Sequence, residues 1–332
     1  MYKTPLYPLL LTPTIKDYIW GGRTFENFLP AGYPPTAPIA EVWAVYAENR
    51  IENGPLAGET LNKLCEIYGE NLLGTLQKDQ SRFPLLIKLL DCNQWLSVQV
   101  HPDDEQAQRL EGDGHNGKTE AWFVLDAQPK AELIAGVIEH IESDRLASAI
   151  LKGNVLDVVE RHVIQKGDTI FIAAGTIHAL GPGALVYEVQ QNSDITYRVY
   201  DWERPASAGR HLHIEQSIEV TRPDAVVKVK SHNSVNAKAV EELISCPYFR
   251  LEILQSKESS LQLDTHKESF HAITIIEGEA QISTTTDSTT LKQYETTIIP
   301  AECGQYTIKG NFSALKSSLS ITNEQSGQTK AL

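Results

Sequence analysis

The 332-residue sequence has only four cysteines, a single methionine and no apolar run of about 18 residues. The cysteines, Cys65, Cys92, Cys246 and Cys303, stand far apart and form no CxxC pair. This spacing predicts neither a thiolate zinc site nor a disulfide framework, and it is typical of buried thiols in a reducing compartment. Prolines interrupt the short apolar patch at the N-terminus, and no small-residue cleavage site follows it. We therefore expect a cytoplasmic protein that does not cross a membrane.

Basic residues are also scarce. Lysine and arginine total 29 against 43 acidic residues, which gives a net charge of −14. Such a charge opposes non-specific attraction to nucleic acid and to anionic membranes, so a small-molecule partner is favoured. The length and the ordinary apolar content predict a globular chain of about two domains.

Most of the chain is predicted to form strands. Short runs rich in Val, Ile, Tyr and Phe alternate with Gly, Pro, Asn and Asp, a pattern that favours an antiparallel sandwich or barrel. Helical spacing of apolar residues occurs over Glu59–Leu76 and Glu139–Leu151, and we expect both helices to pack outside the β-structure.

A composition shift near residues 225–240 predicts a domain boundary. We expect a catalytic domain over residues 1–228 and a smaller domain over residues 236–325. The segments 166–180 and 291–308 are weak internal repeats, each reading as strand, turn and strand. The second copy lacks a histidine at the position of His178, so we expect the C-terminal domain to bind no metal.

Four residues in three of the predicted strands suggest a metal site. Side chains alternate along Trp95–His101, which places Gln99 and His101 on one face. A second strand, beginning near Lys118, places Glu120 on a face with Trp122 and Val124, and a glycine turn delivers His178 to the start of a third. Two imidazoles, one carboxylate and one amide oxygen suit zinc or another first-row divalent ion, which would keep net positive charge and act as a Lewis acid. The alternative is that each histidine is simply a hydrogen-bonded barrel residue.

The order of these residues resembles the two motifs of the cupin superfamily. More specifically, five ordered segments resemble type I mannose-6-phosphate isomerases in their short bacterial form; they are FPLLIKLLD, WLSVQVHPDD, GKTEAWFVL, AAGTIHALGPG and QQNSDITYRVYDW. The resemblance implies two cupin-like jelly-roll domains with a few peripheral helices and one Zn²⁺ per chain. It also implies interconversion of mannose 6-phosphate and fructose 6-phosphate through an enediol.

The remaining site predictions concern the phosphorylated hexose. A dianionic phosphate on an acidic protein requires a local cationic cluster, for which Lys88, Lys118 and Arg198 are the candidates. The family resemblance places Arg198 and Asp194 at the active site, and Lys118, two residues before Glu120, is a second catalytic candidate. Lys88 and Lys118 are predicted to meet the phosphate. The alternatives are a snorkelling edge lysine for Lys88 and a structural pair of Arg198 with Asp194.

The last predictions concern Trp20 and three further histidines. Trp20, next to two glycines, is predicted to bind substrate at the rim of the pocket. The general base is not assigned, and His115 receives no role. His211 and His213 resemble a metal pair by spacing alone and are predicted not to be ligands.

Two other classes of function remain open from the sequence. Two histidines and a carboxylate also form the ligand set of non-haem iron oxygenases, although Gln99 would then fill an otherwise open position. A non-catalytic cupin that binds sugar or stores metal is the other class, and the intact ligands together with Lys118 and Arg198 argue against it.

Overall fold

The structure is a computed structural model that describes residues 4–28, 38–77, 81–204, 210–232 and 238–320. Its described part is mainly β, with antiparallel sheets, as the sequence predicts. Within these ranges no helix has the length and apolar character that a membrane span requires.

Nineteen described strands are numbered in chain order. They are β1 (Leu9–Leu10), β2 (Thr14–Lys16), β3 (Glu41–Val45), β4 (Leu85–Cys92), β5 (Val98–Val100), β6 (Glu120–Ala127), β7 (Glu132–Val137), β8 (Val159–Val163), β9 (Asp168–Ile172), β10 (His178–Leu180), β11 (Ala184–Gln191), β12 (Tyr197–Tyr200), β13 (Val229–Ser231), β14 (Val240–Ser245), β15 (Arg250–Asp264), β16 (His271–Ser283), β17 (Ser288–Lys292), β18 (Thr296–Ile299) and β19 (Gln305–Ser318).

Five described α-helices connect these strands. They are α1 (Leu61–Tyr68), α2 (Glu70–Leu73), α3 (Asp104–Glu111), α4 (Ser143–Leu151) and α5 (Ile214–Val220). The single helix predicted over residues 59–76 is in fact divided into α1 and α2 at Gly69, whose φ is 50°. Helix α3 was not predicted from the sequence, although Asp103 and Gln106 form a capping box at its start.

The contacts divide the chain into two compact units, and the divisions fall within β2, β3 and β4 and near residue 232. The first unit comprises residues 1–14, 43–87 and 233–332, and the second comprises residues 15–42 and 88–232. The predicted division into residues 1–228 and 236–325 stays a prediction, and parts of both ranges lie outside the described residues.

The second unit is built on two sheets. One has the strand order β12-β5-β10-β7-β8 and the other β13-β9-β6-β11-β4-β3-β2. A shared apolar core includes Leu133 and Leu180 of the first sheet with Trp122, Val124 and Ile170 of the second. The two faces of the first sheet therefore have different neighbours. A separate cluster combines its remaining apolar side chains with those of α4 and α5, so α4 lies outside the β-structure, as predicted.

The first unit contains one sheet of the order β1-β18-β16-β19-β15-β14, with β17 paired to β16. The long strands β15, β16 and β19 pair over most of their length. Their buried apolar side chains, including Ile273, Ile275, Ile308 and Ala314, form the core of this unit.

Candidate metal centre

Three neighbouring strands place a row of side chains on one face of the smaller sheet in the second unit. In the antiparallel register, His178 of β10 is opposite Gln99 of β5, and Gln99 is opposite Arg198 of β12. Directly paired residues of an antiparallel ladder share a face. Val98 and Val100, which alternate with Gln99, instead belong to the apolar cluster beneath the helices.

Glu120 reaches the same place from the larger sheet. It is the first residue of β6 and is fully buried. Its Oε1 lies 3.2 Å from His178 Nε2, and its Oε2 lies 3.6 Å from His101 Nε2. The ligand atoms of His101, Glu120 and His178 all lie within 4.8 Å of one another, so these three residues could hold a metal ion.

The backbone selects the tautomer of both histidines. His101 Nδ1 lies 2.8 Å from the carbonyl oxygen of Ile195, and His178 Nδ1 lies 2.9 Å from that of Thr176. A carbonyl oxygen only accepts, so each Nδ1 carries the proton and donates it. Each neutral ring then directs the lone pair of Nε2 towards the Glu120 carboxylate. Such backbone contacts orient the histidine ligands of metal sites.

The donor set as a whole fits a divalent cation. Two Nε2 lone pairs face a buried carboxylate whose Oε1 accepts no hydrogen bond from any described residue. Gln99 adds an amide, whose Nε2 lies 3.2 Å from His178 Nε2. To act as a ligand, this amide has to turn by half a rotation so that it presents Oε1 instead. A cation between these groups would bind Glu120 Oε1 together with the Nε2 lone pairs of both histidines.

Burial controls the protonation of the three central residues. It lowers the pKa of His101 well below its usual value and that of His178 to about 4, and the nearby Lys118 lowers both further. Both rings are therefore neutral at pH 7. Burial also raises the pKa of Glu120, which Lys118 partly offsets, to about 7.

Lys118 lies beside the predicted ligands. Its Nζ is 2.6 Å from Glu120 Oε2 and 3.0 Å from His101 Nε2, and the residue is 4% exposed. Lys118 Nζ would therefore lie close to any substrate atom that binds a metal held by His101 and Glu120. Of its two predicted roles, the catalytic one is the better supported by this geometry.

Lys88 has carboxylate partners that the sequence analysis did not identify. Its Nζ lies 3.0 Å from Glu188 Oε1 and 3.8 Å from Glu41 Oε2. Burial alone would raise the pKa of Glu188, but Lys88, Lys118 and a hydrogen bond from Trp122 lower it to about 2. Because two carboxylates match its charge, Lys88 is less suited to a phosphate than we expected, and its substrate role stays a prediction.

The sequence itself contains a sign that Glu188 belongs to the site. It is a charged residue inside the apolar strand ALVYEVQQ, and such a residue requires a partner or a cleft. Gln190, two residues further along β11, is opposite Glu120 in the register and is also fully buried. The alternation along β11 therefore predicts that Glu188 and Gln190 share the face of Glu120.

Arg198 belongs to a second charged cluster. Its Nε is buried and donates to no described residue. Burial lowers its pKa, as does the charge of Arg210, while Asp201 acts in the opposite direction. Asp201 binds Arg210 through two hydrogen bonds of 2.6 and 3.1 Å and binds Arg204 through one of 3.0 Å. Three guanidinium groups with one carboxylate give this cluster an excess of positive charge.

Asp194 and Trp20 are the remaining predicted site residues. Asp194 is exposed and precedes β12, and no described contact joins it to Arg198. Its catalytic role stays a prediction. Trp20 is 2% exposed and belongs to the core cluster, so it is not a rim residue. Its ring adds to the apolar packing behind the site.

The other histidines lie outside the ligand group. His115 is exposed in the segment between α3 and β6. The Nδ1 of His213 accepts a hydrogen bond of 3.2 Å from the backbone nitrogen of Arg198. Among the described residues, neither His211 nor His213 belongs to a group that could hold a metal ion.

The fold and the site together define a mainly β metalloprotein of the cupin type. The family model of the phosphomannose isomerase type I catalytic domain matches residues 9–138, and that of the mannose-6-phosphate isomerase cupin domain matches residues 239–319. The chain belongs to the type I phosphomannose isomerase family.

Individual relatives agree over nearly the whole chain. Mannose-6-phosphate isomerase ManA of Bacillus subtilis is 35% identical over 91% of this chain and 96% of its own length. Mannose-6-phosphate isomerase of Streptococcus mutans is 33% identical over 93% of this chain and 98% of its own. A crystal structure of the Bacillus subtilis mannose 6-phosphate isomerase matches with a TM-score of 0.82 and 33% identity, covering 93% and 99% of the two chains.

Proposed function

We propose that this protein is a zinc-dependent isomerase that interconverts mannose 6-phosphate and fructose 6-phosphate through an enediol. The observation that carries the proposal is the pair of Nε2 lone pairs of His101 and His178 that face Glu120, with Gln99 and Lys118 beside them. The family membership supports the same substrate, because the relatives from Bacillus subtilis and Streptococcus mutans carry that activity in their names.

An aldose becomes a ketose when a proton leaves the carbon next to the carbonyl and returns to the neighbouring carbon. A divalent metal held by Gln99, His101, Glu120 and His178 would supply Lewis acidity towards the sugar oxygens. Lys118 would add a second positive charge near these oxygens. Arg198, on the same face as Gln99, would donate its Nε–H to the negative charge that develops on the enediol.

The phosphate requires a separate cationic site. Arg204 and Arg210, both paired to Asp201, support this role better than Lys88 does, because two guanidinium groups exceed the charge of their single carboxylate. In this proposal Arg210 is a phosphate contact that our sequence analysis did not identify. Lys88 would instead hold Glu188 and Glu41 in place.

The direct test is to incubate the purified protein with mannose 6-phosphate and to measure the fructose 6-phosphate formed with a coupled assay. We expect turnover that a chelator abolishes and that added Zn²⁺ restores. Oxygen consumption without isomerisation would indicate the iron oxygenase class. Binding of sugar without either reaction would indicate a non-catalytic cupin, and both results would contradict the proposal.

A further inference from the structure

A cavity lies in the first unit, on the polar face of the sheet that contains β15, β16 and β19. It has a volume of about 700 Å³. Three of its titratable residues are more than nine-tenths buried: Glu252, Lys316 and His271 are exposed by 8%, 8% and 7%. Charged groups at such depth require partners or a ligand. Neither the family models nor the proposed isomerase reaction gives this cavity a role.

The strand registers relate this cavity to the metal centre of the other unit. Glu120 is opposite Ile172 and Gln190, and His271 is likewise opposite Ile299 and Ser318. His271 therefore has the place of Glu120 in its own unit. Tyr306 is opposite Leu263, as His178 is opposite Gln99. Tyr306 therefore occupies the position equivalent to His178.

The predicted metal ligands are replaced at these places. The positions equivalent to Gln99, His101, Glu120 and His178 are Leu263, Thr265, His271 and Tyr306. His271 Nδ1 lies 2.7 Å from the hydroxyl of Tyr306. One imidazole and one phenol are a poor ligand set for a divalent ion, which gives a physical reason for the prediction that this domain binds no metal.

A buried ion pair occurs at equivalent positions of both units, but the positive and the negative residue are exchanged between the two strands. The sequence offset that relates Gln99 to Leu263 also relates Lys88 to Glu252, and the offset from His178 to Tyr306 relates Glu188 to Lys316. In the register Glu252 is opposite Lys316, and their side chains meet at 2.6 Å. The two units thus have a buried pair of opposite charges at equivalent strand positions.

The charge of the cavity restricts what it can bind. Its lining has the cations Arg250 and Lys316 and the carboxylates Glu252, Asp264 and Glu268. Burial lowers the pKa of His271 well below its usual value, and Lys316 lowers it further, so this ring is neutral at pH 7. With both histidines of the lining, His266 and His271, counted as neutral, the lining has one more negative than positive charge, which opposes an anionic ligand.

The polar groups instead match hydroxyl groups, which both donate and accept. Glu252 can accept, Lys316 and Arg250 can donate, and the Ser318 hydroxyl can do both. Leucine and valine side chains form part of the same wall, as is usual for small-molecule sites. We propose that this cavity binds a small, uncharged polyhydroxy compound of the size of a single hexose.

Saturation-transfer NMR with D-mannose on the full-length, zinc-loaded protein tests this proposal. We expect transfer to mannose in the wild type and in His178→Ala, which disrupts the metal centre. We expect binding to weaken at least about tenfold in Glu252→Met/Lys316→Met, because hydrogen bonds to charged groups are the stronger kind. Replacing both partners together leaves no lone buried charge.

Ser318→Leu is the alternative variant if circular dichroism shows that the double variant does not fold. It keeps the ion pair and narrows the cavity, and the same loss is expected. Absence of transfer in the wild type, or full transfer in the folded cavity variant, would overturn the proposal. So would loss of transfer in His178→Ala, because the sugar would then lie at the metal centre. Displacement of mannose from His178→Ala by inorganic phosphate would indicate an anion site instead. A negative isomerase assay does not affect these outcomes.

Discussion

At the scale of single residues, Arg198 and Arg210 belong to one charged cluster but are expected to contribute to different steps. Arg198 is opposite Gln99 and has a buried Nε that donates to no described residue. Arg210 binds Asp201 with two hydrogen bonds. In the proposed reaction the first would meet the reacting oxygens, and the second would meet the phosphate.

We predict that Arg198→Lys keeps metal and fold but lowers kcat. Lysine is a point charge and cannot reproduce the fixed donors of a guanidinium. Loss of one such interaction in a site shielded from water costs about 3 kcal/mol, or on the order of a hundredfold in rate. Steady-state kinetics with mannose 6-phosphate measure this. Arg210→Lys is the matched control and should mainly raise KM. Wild-type turnover in Arg198→Lys would return this residue to a structural role.

A second prediction concerns Glu188 and acid. Its pKa is lowered from the usual 4.5 to about 2 in the folded protein. A lowered carboxyl pKa stabilises the fold above pH 4.5, and this contribution disappears as the pH falls towards 2. The difference in melting temperature between wild type and Glu188→Gln should therefore be largest near neutral pH and shrink below about pH 4.5. Thermal unfolding in chelator at several pH values measures it, and a constant difference would contradict the assignment.

At the scale of elements, the turn between β9 and β10 places His178. Gly175 in this turn has a φ of +85°, and a Cβ there would lie 2.6 Å from Arg222 Cγ and 3.0 Å from the carbonyl oxygen of Val220. A side chain would therefore strain the backbone and displace the turn. His178 is only three residues further on, so the metal centre depends on this glycine.

We predict that Gly175→Ala destabilises the protein by more than the ~1 kcal/mol of a left-handed alanine and weakens metal binding about tenfold. Gly153→Ala is a matched control, since Gly153 has a φ of +74° and a Cβ added there would meet no described atom within 4 Å. It should lose stability through the backbone alone and bind metal normally. Equal metal affinity in both variants would show that the turn does not position His178.

At the scale of the whole molecule, the metal should act as a stabilising ligand of the native state. We predict that saturating Zn²⁺ raises the melting temperature of chelator-treated protein by roughly 4 °C, since a ligand at a hundred times its Kd adds about 2.7 kcal/mol and the unfolding entropy of the 332-residue chain is about 0.7 kcal/mol per kelvin. His101→Ala and His178→Ala should show little of this shift. Differential scanning fluorimetry provides the measurement, and an unchanged shift in both variants would place the metal elsewhere.

Much of the site follows from local patterns. Alternation along Trp95–His101 separates Gln99 and His101 from the core valines, and the glycine turn before His178 is visible in the sequence. The helix over residues 59–76 was predicted with the wrong length, because Gly69 ends α1 and begins α2 although the apolar spacing continues past it.

By itself, the sequence determined the predominance of strands, the family and the residue types available for a metal. Only the tertiary structure decided the partners of the charged residues. Lys88 meets Glu188 and Glu41, and Trp20 enters the core, because these contacts are made between strands or loops that are distant in the chain. Periodicity reports which face a side chain is on, whereas the register between strands decides what it faces.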